Sequence, residues 1–292
     1  MNYKLTLLYT TFCSRRCLLI HFMTTFIIIS VIILLALGYL AFRLFNNRQN
    51  SLPATKANLS SELKQLLQQH VSYYDRLLDA EKTRFESLIA GFLDTVHIEG
   101  VGLEITDMDR VLIASSAIIP IFGYKEWRYT NLTNVILYPD TFNNDFQFEG
   151  EQEGRNIVGM VGSGYMNGQM LLSRAALLKG FSATSGKNNT GIHEFVHLLD
   201  KSDGATDGVP ENVLPHEYAT PWLKMMHQEI SRIKKGNSDI DPYGATNEAE
   251  FLAVTSEYFF EKPDQFQQKH PELYEQLSRI YSQNPASNIK KS

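Results

Sequence analysis

Apolar residues recur at helical spacing early in the body of the chain: Leu63, Leu66 and Leu67, then Leu77, Leu78, Phe85, Leu88, Ile89 and Phe92. Steps of three and four put such residues on one face of a helix, and a stripe of this kind is packing surface. Thr106 and Asp109 have the spacing of a capping box with Asp replacing Glu, which predicts a helix from about Asp107 to Ile119, closing near Pro120 and Gly123. The apolar run Asn134 to Tyr138 reads as a strand stopped by Pro139 and Asp140. A stretch from Gly154 to Ser173 alternates glycine with apolar residues and ends in a second strand, Gly168 to Ser173. Helical patterns return at 187–199, 217–235, 247–261 and 271–282, the last with Pro271 well placed at its first position. Strands in the middle and helices at both ends predict an α+β fold. The chain shows neither an internal repeat nor a low-complexity segment.

Ahead of this body the pattern changes. Phe22 to Phe42 is a run of 21 residues without a charge. As a helix it is about 31 Å long, the thickness of the hydrocarbon layer of a bilayer. A single spanning anchor is expected there. The chain then divides into an N-terminal extension (1–21), the anchor (22–42), a polar linker containing Pro53 (43–58) and one large domain, the body of the chain (59–292). Arg15 and Arg16 precede the run, while Arg43, Arg48 and Lys56 follow it, so the positive-inside rule is nearly balanced. A translation start at Met23 would remove the basic residues on the amino-terminal side. The expectation is an inner-membrane protein with its body in the cytoplasm.

Charge sharpens the picture. The net charge is −5, yet the first fifty residues hold five of the 27 basic residues and none of the 32 acids. The body is therefore distinctly acidic and has no basic stripe, which argues against nucleic-acid binding. Both cysteines, Cys13 and Cys17, lie before the apolar run, and their spacing fits neither a zinc knuckle nor a thioredoxin motif. No disulfide is expected in the body.

The chemistry concentrates at Gly191-Ile192-His193-Glu194-Phe195-Val196-His197-Leu198-Leu199-Asp200. His-Glu-x-x-His on a helix projects both imidazoles from one face, where neutral ring nitrogens bind zinc. Glu194 stands beside them to take a proton from a water at the metal. Phe195, Val196, Leu198 and Leu199 are apolar, so the other faces of the helix are expected in the core. A third ligand is required, and two residues offer one. Asp203 stands six residues after His197, the metzincin position, but the glycine that pattern needs is Asp200 here, and Met225-Met226 sits in a helical run. Glu250 lies on a later amphipathic helix, the gluzincin arrangement. His70 and His97 are read as surface or satisfied core residues, and His216, His227 and His270, which lack ligand spacing, as surface residues. Glu257, seven residues after Glu250, is placed to orient a ligand.

HEFVHLLDKSDG followed by DPYGATNEAEFLAVTSEYFFEKP, with VLIASSA at Val111, NVILYP at Asn134 and GQMLLS at Gly168, resembles the zinc peptidase family of Mlc titration factor A, whose catalytic fold is similar to anthrax lethal factor. The similarity runs from about Val71 to Tyr281. It implies His193, His197 and Glu250 as ligands of one zinc ion, Glu194 as general base and Tyr243 as the hydroxyl that steadies the oxyanion. It also implies peptide or protein substrates, with a leaning towards aminopeptidase-like activity, and a transcriptional regulator as partner. The chain departs from the family at Arg174, where the family carries Trp, which points to a different substrate preference, and in its spanning segment. The strand ending at Ser173 is expected to pair with extended substrate. The function expected is that of a membrane-anchored zinc peptidase. The alternative is a zinc-containing protein that sequesters a transcriptional regulator.

Overall fold

The computed structural model describes residues 33–35, 37–39, 59–141, 158–162 and 167–287. The chain divides into two units, Met1–Ser51 and Leu52–Ser292. In the first, residues 33–35 and 37–39 are helical. The remainder of the expected anchor, the extension before it and the linker after it lie outside the described residues. Among the described residues no helix is long and apolar enough to cross a membrane.

In the second unit the stripe from Leu63 to Phe92 forms three helices, α1 (Ser61–His70), α2 (Ser72–Asp75) and α3 (Asp79–Thr95). Then follow β1 (His97–Gly100), α4 (Asp107–Ile121), β2 (Asn134–Tyr138), β3 (Gly159–Val161), β4 (Gln169–Ser173) and α5 (Arg174–Gly180). The chain continues through α6 (Thr190–Asp200), α7 (His216–Lys234), α8 (Glu248–Glu261), α9 (Pro263–Lys269) and α10 (Pro271–Tyr281). The sheet order is β1-β2-β4-β3. The first three strands in that order are parallel, with Val135 opposite Ile98 and Met170, and β3 runs antiparallel to β4. Val135, Leu137, Met170 and Leu172 join the helical core. Ile136, Tyr138, Leu171 and Met160 form a thin apolar layer on the opposite face. This is a small mixed sheet in an α+β fold.

The capping box at the start of α4 is present in full: Thr106 Oγ1 accepts from Asp109 N–H, and Asp109 Oδ2 accepts from Thr106 N–H at 2.8 Å. The helix runs on through Pro120, because a proline near the last turn keeps a helical φ and removes only one carbonyl's partner. α4 is buried nearly all round. Its small residues Ser115, Ser116 and Ala117 let α6 cross it closely: a Cβ on Gly191 would lie 2.1 Å from Ser116 Oγ. α6 is thus packed between α4, α8 and β3.

Two expectations need correction, and Arg174 has contacts that the sequence did not show. The strand ending at Ser173 has no free edge, since β2 and β3 pair with it on either side. The edge beside α6 is β3, which has no second partner among the described residues. Arg174 ties two segments of the fold together. Its guanidinium grips the buried Asp109 carboxylate, with Nε donating to Oδ1 at 2.9 Å and Nη2 donating to Oδ2 and to the Glu104 carbonyl. His270 is buried, enclosed by the rings of Tyr258 and Phe266 and bonded to Asp239 at 2.7 Å.

Candidate metal centre

The helix that carries the motif is well specified at its start. Asn189 caps it, its side-chain oxygen accepting from Ile192 N–H at 3.1 Å. Phe195, Val196 and Leu199 are buried, so the helix can turn only one way, with His193 and His197 towards α8. α8 starts from its own cap, Asn247, which accepts from Glu250 N–H at 2.9 Å and so fixes Glu250 in the first turn.

Three donor atoms from these two helices converge. His193 Nε2 lies 3.0 Å from Glu250 Oε2 and 3.1 Å from His197 Nε2, and His197 Nε2 lies 3.5 Å from Glu250 Oε2. A tetrahedral ion with bonds of about 2.0–2.1 Å has ligand atoms about 3.3 Å apart, so this donor set fits a metal ion of that size. Among the described residues, His193, His197 and Glu250 are the group of donors close enough to hold one. Burial alone would depress the His193 ring. The Glu250 and Glu257 carboxylates outweigh it and hold its pKa well above the usual value. Burial of Glu250 is likewise outweighed, here by its bonds to the two histidines, and its carboxyl falls to about 2.

Around this triad stand the other residues singled out in the sequence. Glu194 is buried, 6% exposed, and burial raises its carboxyl above the usual range despite the nearby imidazoles. β3 passes directly over it: a Cβ on Gly159 would stand 2.5 Å from Glu194 Cγ and Oε1. Tyr243, on a short 3-10 turn (Pro242–Ala245), has its ring centroid 6.1 Å from that of His193. Tyr243 is 55% exposed, on the solvent side of the triad and hydrogen-bonded to the Glu250 side chain. Partial burial and the Glu250 and Glu194 charges raise its hydroxyl pKa. Glu257 Oε1 lies 2.7 Å from His193 Nδ1, and its other oxygen accepts from Asn189 N–H. Asp203 takes no part. It sits in a 3-10 turn (Lys201–Asp203) after α6, and its oxygens accept from Ala205 and Glu211 N–H. His216 and His227 are exposed, the latter bonded to Glu248.

Two contributions were not anticipated. Gly159 belongs to the glycine-alternating stretch, where a glycine within a strand is the available signal of close approach. Asn189 has its backbone on Glu257 and its amide on Glu261 at 2.8 Å, joining the caps of the motif helix to α8.

Two histidines a helical turn apart, a glutamate between them and a carboxylate from a second helix define the class: a metallopeptidase of the His-Glu-x-x-His type. The model of the glucose-regulated metallo-peptidase M90 family matches residues 44–282, and the chain belongs to that family. Mlc titration factor A of Escherichia fergusonii is 30% identical over 229 residues, covering 74% of this chain and 84% of that protein. The protein of the same name from Klebsiella pneumoniae is 28% identical over 229 residues, with 74% and 84% covered. An uncharacterized protein of Synechocystis is 29% identical over 234 residues, with 76% and 84% covered.

Proposed function

We propose that this metallopeptidase is a zinc enzyme in which His193, His197 and Glu250 hold one ion, Glu194 is the general base and Tyr243 is the oxyanion hydroxyl. The observation that carries the reading is the convergence of the three donor atoms beside a buried glutamate. Two nitrogens and one carboxylate oxygen are the donor chemistry zinc takes in hydrolytic sites. Bound there, zinc supplies a Lewis acid that polarises a peptide carbonyl and acidifies a water. Glu194 accepts the proton of the attacking water, and its raised pKa suits it to hold that proton until the leaving amine takes it. Tyr243, exposed and adjacent, donates its hydroxyl to the negative charge that develops on the carbonyl oxygen. β3 has no second partner among the described residues, and an extended peptide pairing with it would lay its backbone across Glu194.

The test is metal analysis together with peptide cleavage by the purified full-length protein. About one zinc per chain and hydrolysis lost on chelation are expected. Glu194→Gln should keep the zinc and lose turnover by about 10² or more, because an amide cannot accept the proton. Near-normal turnover in that variant would remove Glu194 from the mechanism.

A second reading is favoured by the name shared by two relatives, Mlc titration factor A. On it the chain binds a transcriptional regulator and hydrolysis is secondary. A regulator that is bound equally by wild type and Glu194→Gln supports that reading. The proposed anchor rests on the 21 uncharged residues from Phe22 to Phe42. Full-length protein should stay with membranes through an alkaline wash and leave them only with detergent. Digestion of the body by protease outside intact spheroplasts would overturn its cytoplasmic orientation.

A further inference from the structure

Each histidine of the motif turns one ring nitrogen to the donor triad and one away from it. For His193 the outer nitrogen, Nδ1, meets Glu257 at 2.7 Å. For His197 the outer nitrogen is buried and has no hydrogen-bond partner. One turn further along α6, Asp200 is completely buried. Its Oδ2 accepts from Gly208 N–H at 2.8 Å, while its Oδ1 is buried and likewise without a partner. With His197 Nε2 directed at a metal, Nδ1 carries the ring proton and is a donor lacking an acceptor. Asp200 Oδ1 is an acceptor lacking a donor. Residues i and i+3 are neighbours on a helix surface, and buried polar groups are almost always paired, by ordered water where a direct contact falls short.

We propose that Asp200 is a positioning residue for the metal centre, its Oδ1 receiving the His197 Nδ1 proton across one buried water. Each metal histidine is then oriented by its own carboxylate, Glu257 for His193 and Asp200 for His197. The other oxygen of Asp200 extends the effect to the third ligand. Gly208, which it holds, has φ +77° and lies so close to α8 that a Cβ there would meet the Glu248 carbonyl oxygen at 2.3 Å. Glu248 begins α8, two residues before Glu250. One carboxylate thus fixes the ring of His197 and braces the helix end that delivers Glu250. The inference rests on the reading of His193, His197 and Glu250 as metal ligands.

The test uses full-length protein and three measurements: the zinc dissociation constant by chelator competition, the visible spectrum of the cobalt-substituted protein, and the urea midpoint of the zinc-free protein. Asp200→Asn keeps an acceptor for Gly208 N–H but turns an amide NH2 towards His197. Zinc affinity should fall about 10–100-fold and the cobalt bands should shift, with little change in the zinc-free midpoint. Asp203→Asn loosens the same loop at Glu211 without reaching His197, and should leave affinity and spectrum as in wild type. Wild-type affinity and spectrum in Asp200→Asn, or equal weakening in both variants, overturns the proposal while leaving the ligand assignment intact. A wild-type protein that binds no zinc overturns both. Should Asp200→Asn not fold, nitrogen-15 labelled histidine in the zinc-bound wild type decides. Downfield, hydrogen-bonded Nδ1 protons are expected for both His193 and His197, and a His197 proton at the position of an unbonded imidazole overturns the proposal.

Discussion

Glu194 is confined by the backbone that crosses it. Gly159 leaves no room for a methyl group beside the Glu194 side chain, and the atoms it would strike are the flexible Cγ, Cδ and Oε1, not main chain. Gly159→Ala should therefore fold and keep its metal while displacing the carboxylate. Hydrolysis is expected to fall by about tenfold or more, since a proton acceptor must lie within hydrogen-bond reach of its proton. Metal content and turnover measured on the same preparation check it, and unchanged turnover would show that Glu194 has space to spare. Residue by residue, the centre was largely legible. His193, Glu194 and His197 follow from one helical turn of sequence, and Glu257 from its seven-residue step beyond Glu250. Gly159 and Asp200 were not legible, because their contribution is made across the fold. A glycine in a strand and an aspartate after a histidine carry no sign of what they face until β3 and Gly208 are in place.

At the scale of elements, the centre is a junction of two helices. Glu250, Glu257 and Glu261 recur at steps of seven and four along α8, so one face of that helix meets the start of α6 at three levels: the donor triad, His193 Nδ1 with Asn189 N–H, and the Asn189 amide. Glu250→Ala should abolish tight metal binding, because two remaining ligands hold an ion poorly. Glu257→Gln should weaken it about 10–100-fold. Chelator competition ranks the two, and a Glu250→Ala protein that kept wild-type affinity would return the third ligand to another residue. The helices were read from sequence to within a few residues because long periodic segments with caps declare themselves. β1, β3, α5 and α9 were not. His-Ile-Glu-Gly is a strand only because β2 lies beside it, and α5 begins on the residue after β4, with Ser173 ending the strand and capping the helix. Local pattern cannot show a strand whose cause is its partner.

At the scale of the catalytic unit, Asp239 gathers four donors from distant segments: Lys187 and Lys269 Nζ at 2.6 and 2.8 Å, His270 Nε2 at 2.7 Å and Tyr258 hydroxyl at 2.9 Å. Burial works against its ionised form, but these donors prevail and hold its pKa far below the ordinary carboxylate value. A carboxyl with a depressed folded pKa stabilises fully above its unfolded value and progressively less as pH falls towards the folded one. Asp239→Asn should therefore lower the urea midpoint at pH 7, with the gap to wild type narrowing steadily below about pH 4. A gap independent of pH would mean that the charge of Asp239 does not contribute. The junction of α6 with α8 has a consequence for the life of the protein as well. On the proposed ligand assignment, an ion shared by His197 and Glu250 would be a removable cross-link closing roughly fifty residues of chain, present only in the folded form. Each tenfold rise in free zinc above its dissociation constant then adds about 1.4 kcal/mol to the folded state. The melting temperature should climb with the logarithm of buffered zinc in wild type and stay flat in Glu250→Ala. If the proposed zinc site holds, such an enzyme would be depleted in a zinc-starved cell by unfolding and proteolysis as well as by idleness, and its abundance would record the metal supply.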